Sequence, residues 1–144
     1  MAIESFQGKW RFLSNFWPSP ITFSGATWPT AEHVYQAAKT LDTFERAAIR
    51  LLATPGMAKK KGRYVVLRPN WEEVKVGIMA TIIRLKFKQN PMLLEKLIAT
   101  GKEMLIEGNR WHDNFWGDCD CPKCRSKAGQ NLLGRLLMAE RDRH

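Results

Sequence analysis

At 144 residues, with 44% apolar and 26% charged side chains, the chain has the make-up of a globular domain long enough to bury a core without disulfide staples. No apolar run approaches the ~20 residues a bilayer-spanning helix needs, and Met1-Ala2-Ile3-Glu4-Ser5-Phe6 lacks the basic-then-apolar layout of a signal peptide, so no membrane partner and a cytoplasmic location are expected. A formal net charge of +9 points to an anionic partner, nucleotide phosphates or nucleic acid, with plain solubility as the competing explanation for Lys59-Lys60-Lys61, Arg84/Lys86/Lys88 and Lys123/Arg125/Lys127.

The first thirty residues, rich in aromatics, Pro, Ser and Gly, read as short strands and turns. Ser24-Gly25 lies between two alternating runs within Ile21-Thr22-Phe23-Ser24-Gly25-Ala26-Thr27-Trp28 and predicts a tight hairpin. Trp28-Pro29-Thr30 then stops the strand, with Thr30 as the N-cap of a helix. Val34, Ala37, Leu41, Phe44, Ala48 and Leu52 recur at helical spacing and predict one helix from about Ala31 to Leu52. Glu32, Gln36, Lys39, Thr43 and Arg50 fall on its other side, and Thr54-Pro55-Gly56 is expected to end it.

A basic connector and a short strand at Tyr64-Val65-Val66-Leu67 lead to Pro69. Asn70 with Glu73 three residues on is a helix-start pattern, and the helix behind it is expected to bury Val74, Ile78, Ile82 and Leu85. Asn90-Pro91 opens another helix that ends near Gly101. Met104-Leu105-Ile106 reads as a buried strand, Gly108 to Gly129 as an irregular segment, and a last helix begins near Gln130 or Asn131. The class expected is α+β, a single compact, mostly helical domain with a small sheet, spanning residues 1–144.

Three segments hold more functional residue types than a core requires. In Leu13-Ser14-Asn15-Phe16-Trp17-Pro18, an Asn among aromatic rings suits a flat ligand, or merely caps a turn. Glu32, Gln36 and Lys39 share one helix face, so they serve either acid–base chemistry or solvation. Trp111-His112-Asp113-Asn114-Phe115-Trp116-Gly117-Asp118 sets a carboxylate beside aromatic walls in a loop. Next to it, Cys119, Cys121 and Cys124 lie within six residues, too few and too close for a disulfide framework. Cys121-Pro122-Lys123-Cys124 resembles a zinc-knuckle turn; His112 is the nearest fourth ligand in sequence, His33 and His144 being the others, and free thiols remain the alternative.

Leu13-Ser14-Asn15-Phe16, the run from Trp28-Pro29-Thr30-Ala31-Glu32-His33 to Lys39, Asp113-Asn114-Phe115-Trp116-Gly117, and Gly129-Gln130-Asn131-Leu132-Leu133-Gly134-Arg135 resemble, in this order, the signatures of the YbiA-like NADAR superfamily. The resemblance covers nearly the whole chain. It implies the α+β fold of that family and an N-glycosidase, a hydrolase of N-glycosyl compounds. Family members cleave ribose-phosphate from riboflavin-pathway intermediates or remove ADP-ribose from modified guanine. Carried over by position, Glu32 and Asp113 would be the catalytic carboxylates, and Lys39 an amine able to attack the sugar's C1. Asn15, Phe16, Trp28, Tyr35, Gln36, Trp71, Trp116 and Gly117 would bind the substrate.

The partner implied is a small phosphorylated ribosyl compound or an ADP-ribosylated nucleic acid. No cofactor is implied for catalysis, and structural zinc at His112, Cys119, Cys121 and Cys124 stays open. The cysteine segment replaces a glycine-rich turn of the riboflavin-type members, so the substrate does not carry over with the fold. Two other function classes compete: a non-catalytic module that binds ADP-ribose or an NAD-like ligand, and a zinc-stabilised nucleic-acid-binding protein.

Overall fold

The computed structural model describes residues 1–144. In chain order the elements are β1 (Ala2–Ile3), a 3-10 helix (Gly8–Leu13), β2 (Ile21–Phe23), β3 (Ala26–Trp28), α1 (Ala31–Ala38), α2 (Thr43–Arg50), α3 (Pro55–Gly62), α4 (Trp71–Gln89), α5 (Pro91–Ala99), β4 (Met104–Leu105), β5 (Gly108–Asn109), β6 (Asp118–Cys119) and α6 (Leu132–Asp142). The small sheet expected from sequence is three separate two-stranded ladders. The chain packs as two units, Asn15–Pro91 and a second made of Met1–Ser14 with Met92–His144.

In the Asn15–Pro91 unit, β2 and β3 pair antiparallel with Ile21 opposite Trp28. The turn between them takes φ of 51° at Ser24 and 78° at Gly25, the two successive positive values that a twist-matched two-residue hairpin turn requires. Gln89, at the end of α4, grips the open edge of β2: its Oε1 accepts from the Thr22 amide (2.7 Å) and its Nε2 donates to the Thr22 carbonyl (2.9 Å). The hairpin is thereby anchored to α4, with Trp28 buried.

Thr30 caps α1 as expected, its hydroxyl accepting from the His33 amide. The single helix expected over Ala31–Leu52 is instead two. Thr40 takes the Asp42 amide on its hydroxyl (3.2 Å), and the Asp42 carboxylate accepts from the amides of Phe44 (2.8 Å) and Glu45 (3.1 Å), so capping chemistry restarts the chain as α2. Leu41 and Phe44, expected on the buried stripe, are 58% and 86% exposed. Thr54-Pro55 does not just end this region but opens α3, with Thr54 accepting from the Met57 amide and Pro55 in the first turn, where its missing N–H costs nothing. α1 packs against α2, α3 and α4.

No strand forms at Tyr64–Leu67. Tyr64, Val66 and Leu67 are exposed. The segment runs instead to the end of α1, where the Arg68 amide donates to the Lys39 carbonyl (2.7 Å). α4 starts where Asn70 predicts, but the Asn70 side chain accepts from Arg68 Nε instead of capping. Its buried face is Trp71, Met79, Ile82, Ile83, Lys86 and Phe87; of the expected stripe Val74, Ile78, Ile82 and Leu85, only Ile82 is fully buried.

In the other unit, β1 and β4 run parallel, Ala2 beside Met104 and Ile3 beside Leu105. Arg141 of α6 donates to the Thr100 hydroxyl (2.9 Å) and the Glu103 carbonyl (2.8 Å), binding the last helix to the turn after α5. β5 and β6 run parallel with Asn109 beside Cys119. These two short strands bracket the loop that carries His112, Asp113 and Trp116.

Candidate active site

In the Asn15–Pro91 unit, the loop Asn15–Pro18 is tied to the first turn of α1 by the Glu32 amide, which donates to the Asn15 carbonyl (3.0 Å). Glu32 is 7% exposed and Gln36 3%, so this polar stripe does not face solvent. Gln36 Nε2 donates to Glu32 Oε1 at 3.1 Å, and this orientation leaves Gln36 Oε1 buried without a donor. Its opposite wall is Gly62, where a Cβ would overlap that same Gln36 amide. Asn15 is buried too and directs Nδ2 at the Met79 sulfur (3.4 Å), a weak acceptor.

Lys39 sits half-buried where α1 ends. Its amine lies 5.7 Å from the Tyr35 ring, which is tilted against Trp71 with 5.3 Å between ring centres. Burial holds the Lys39 amine below the usual lysine range; the Glu32 carboxylate opposes this, and Lys59, Arg63 and Lys75 reinforce it by repulsion. Lys59 also reaches to 6.0 Å from the Phe16 ring. Glu32 is therefore the acidic group acting on Lys39 among these cations. Lys75 is itself paired with the Glu72 carboxylate, leaving Lys39, Lys59 and Arg63 as an environment suited to an anion. The sequence shows Lys59, Arg63 and Lys75 as scattered cations; what groups them is the packing of α3 and α4 on α1.

His33 is not a metal candidate. It is fully buried, with Nε2 donating to the Leu52 carbonyl (3.0 Å), so Nδ1 is the acceptor for the Thr30 hydroxyl (2.7 Å). Burial lowers its pKa and the bond to Leu52 raises it, the former prevailing. Trp28 is buried with its indole N–H unpartnered.

In the second unit, Asn109 organises the Asp113 turn. Its Oδ1 accepts from the amides of Trp111 (3.2 Å) and Asp113 (3.1 Å), while Nδ2 donates to the Asp113 carbonyl (2.8 Å). Asp113 Oδ1 accepts from the amides of Phe115 (3.1 Å) and Trp116 (2.9 Å), which fixes the carboxylate at the start of this turn. Phe115 and Trp116 meet edge to face at 4.8 Å. Gly117 is buried where a Cβ would overlap the Glu107 carbonyl. Asn131, in the left-handed region at φ 50°, accepts from the Glu107 amide and donates to the Leu105 carbonyl, both at 2.9 Å. Asn109 and Asn131 were not singled out from sequence; Asn131 lies inside the C-terminal signature, whereas Asn109 has no local pattern that marks it.

The cysteines are free thiols gathered with His112: Nδ1 lies 3.3 Å from Cys121 Sγ, 3.3 Å from Cys124 Sγ and 3.9 Å from Cys119 Sγ. All four donor atoms fall within 4.8 Å of one another and could hold a metal ion. Burial pushes the Cys121 thiol up, but hydrogen bonds with Cys119 and Cys124 and from the backbone outweigh it and bring it down to about 7. His144 lies elsewhere, against Glu140 at 3.1 Å.

The NADAR domain profile matches residues 4–143. The N-glycosidase YbiA of Escherichia coli is 42% identical over 132 residues, covering 90% of this chain and 79% of its own. An N-glycosidase of Nostoc punctiforme is 40% identical, covering 90% and 83%. A riboflavin biosynthesis protein of Vibrio vulnificus is 38% identical over 91% of this chain and 35% of its own length. The NMR structure of Escherichia coli YbiA superposes with a TM-score of 0.82 at 38% identity, over 99% of this chain and 83% of that one.

Proposed function

Because the chain belongs to the NADAR family and is an N-glycosidase, we propose that its substrate is a phosphate-bearing ribosyl N-glycoside on which Glu32 and Asp113 act as acid–base carboxylates. The observation that carries this reading is the burial of Glu32 and Gln36 on a helix face that carries Lys39 and is surrounded by cations. Burying polar side chains costs free energy unless hydrogen bonds offset it, and here Gln36 Oε1 is left without a donor; such costs concentrate at functional sites. The match running from residue 4 to 143 supports treating both units as one NADAR domain.

Departure of the base from an N-glycoside builds positive charge on the sugar and negative charge on the leaving nitrogen. One carboxylate stabilises the sugar cation or takes a proton from the attacking water; a protonated group delivers a proton to the leaving nitrogen. Lys39, its amine pKa lowered by burial, is able to add to C1 of the opened sugar while C1 is still bonded to the base nitrogen. The base leaves as its protonated amine, C1 stays on Nζ as a Schiff base, and one water hydrolyses this to free sugar and lysine. Asn15, Phe16, Trp28, Tyr35, Gln36 and Trp71 of one unit, and Trp116 and Gly117 of the other, are the residues this reading assigns to substrate binding. Lys59 and Arg63 supply the positive field for its phosphates, Lys75 being paired with Glu72. A structural zinc ion at His112, Cys119, Cys121 and Cys124 belongs to this reading; hydrolysis itself needs no cofactor. The enzyme acts in the cytoplasm.

The test is turnover of two substrates, an amino-pyrimidine ribosyl phosphate of the riboflavin type and an oligonucleotide carrying ADP-ribosylated guanine, followed by release of base and sugar. Glu32→Gln and Asp113→Asn keep the side-chain shapes, so each is expected to lower kcat at least a hundredfold with the fold retained by circular dichroism. Full activity in either variant removes that residue from the chemistry. Binding of both compounds without turnover would instead favour a ligand-reading module. Borohydride added during turnover is expected to fix the sugar on Lys39; absence of the adduct with active enzyme removes the Schiff base.

A further inference from the structure

We propose that His112 and the thiolates of Cys119, Cys121 and Cys124 bind one zinc ion that never touches substrate but fixes the turn presenting Asp113. The metal half of this inference stands on the cluster alone; the Asp113 half rests on the catalytic role proposed above.

Zinc with one imidazole and three thiolates is tetrahedral, with bonds of about 2.0–2.1 and 2.3 Å, so a nitrogen–sulfur edge measures about 3.6 Å. The three Nδ1–Sγ separations, 3.3, 3.3 and 3.9 Å, bracket that edge. Four protein ligands close the coordination sphere, as in structural zinc sites, and leave no position for a reacting water. The soft, thiolate-rich donor set selects zinc over magnesium or calcium.

The backbone is shaped for this. Pairing of β5 with β6 sets Cys119 beside Asn109, three residues before His112. The amides of Cys124 (3.0 Å) and Arg125 (2.9 Å) both donate to the Cys121 carbonyl, folding Cys121 and Cys124 into one turn. His112 itself has φ 70°, a left-handed conformation that a non-glycine residue holds only where its surroundings compel it. Three thiolates and a zinc ion leave a net negative centre, and Lys123, Arg125 and Lys127 stand around it in sequence as counter-charges.

The connection to Asp113 is direct. It follows ligand His112, and its carboxylate is set by the amides of Phe115 and Trp116. Asn114, next in line, accepts from the amide of ligand Cys119 (2.9 Å). Without metal the bonds from Asn109 to the amides of Trp111 and Asp113, on either side of His112, remain, but the tie from the His112 ring to the cysteine turn is lost. His112 and the cysteines are thus positioning residues, supporting a neighbour from behind.

The experiment uses the full chain purified without chelator. One zinc per chain is expected by mass spectrometry, and exchange to cobalt(II) should give the intense d–d bands of a tetrahedral site with thiolate-to-cobalt charge transfer. Cys124→Ser should weaken zinc at least tenfold while the rest of the chain stays folded; His112→Cys should keep the metal and shift the cobalt spectrum. Folded protein without metal, a Cys121–Cys124 disulfide, or a six-coordinate cobalt spectrum would overturn the site. For the positioning role, zinc removal is expected to lower kcat more than tenfold with little change in KM, and to cause no further loss in Asp113→Asn. Unchanged kcat after removal overturns that role. Full activity of Asp113→Asn with zinc present would strike the catalytic assignment and leave the metal site standing.

Discussion

Gln36 links the buried polar face of α1 to the helix packed behind it. Its amide N–H goes to Glu32, and its carbonyl end lies against Gly62, so a side chain at residue 62 would displace the Gln36 amide and disturb its bond to the Glu32 carboxylate. Gly62→Ala tests this. The added methyl overlaps a buried amide, an overpacking that costs about 1–3 kcal/mol, while better helix propensity returns up to about 1 kcal/mol. A net loss of about 1 kcal/mol is expected by urea unfolding, with kcat reduced because Gln36 must leave Glu32. An unchanged kcat would mean that Gln36 does not hold the carboxylate. The same environment explains Lys39: with Glu32 the anion opposing its deprotonation, Glu32→Gln should lower the Lys39 pKa further, measurable by NMR of the labelled amine.

At the level of elements, the break between α1 and α2 matters more than either helix. It ends α1 at Ala38, so that Lys39 becomes the C-cap and its carbonyl accepts the Arg68 amide, drawing the segment before α4 onto the end of α1. Asp42 enforces the break by capping two amides. Asp42→Ala is expected to cost about 1 kcal/mol, seen as a lower urea midpoint at constant m-value, whereas Asp42→Asn should recover most of it. Equal stability of the alanine variant would show that packing alone sets the break. Thr40-Leu41-Asp42-Thr43 carries these capping residues in plain view, yet the apolar periodicity through Leu41 and Phe44 points to one continuous helix. A repeat at helical spacing reports a face and not whether that face meets anything, and here it meets solvent.

For the whole molecule, stability is coupled to acid through His33. Its folded pKa lies below the ordinary 6.5, so the unfolded chain takes up the proton first. The stability contribution is complete above about 6.5 and is lost as pH falls through that value toward the folded pKa. Thermal melts between pH 7.5 and 5 should show Tm falling more steeply than in His33→Gln, whose side chain does not titrate. Parallel profiles would mean that other groups set the acid limb.

What the sequence determined by itself was whatever rests on a few adjacent residues: the Ser24-Gly25 turn, the Thr30 cap, the Asn90-Pro91 start of α5, and the nearness of His112 to three cysteines, all within thirteen positions. Its ordered signatures also sufficed to reveal the family. Tertiary structure alone decided that Glu32 and Gln36 are buried, that Lys59, Arg63 and Lys75 gather near Lys39, and that Tyr64–Leu67 has no strand partner. The physical reason is range: caps and turns close hydrogen bonds over three or four residues, whereas burial and electric field depend on which distant helix comes to lie against a face.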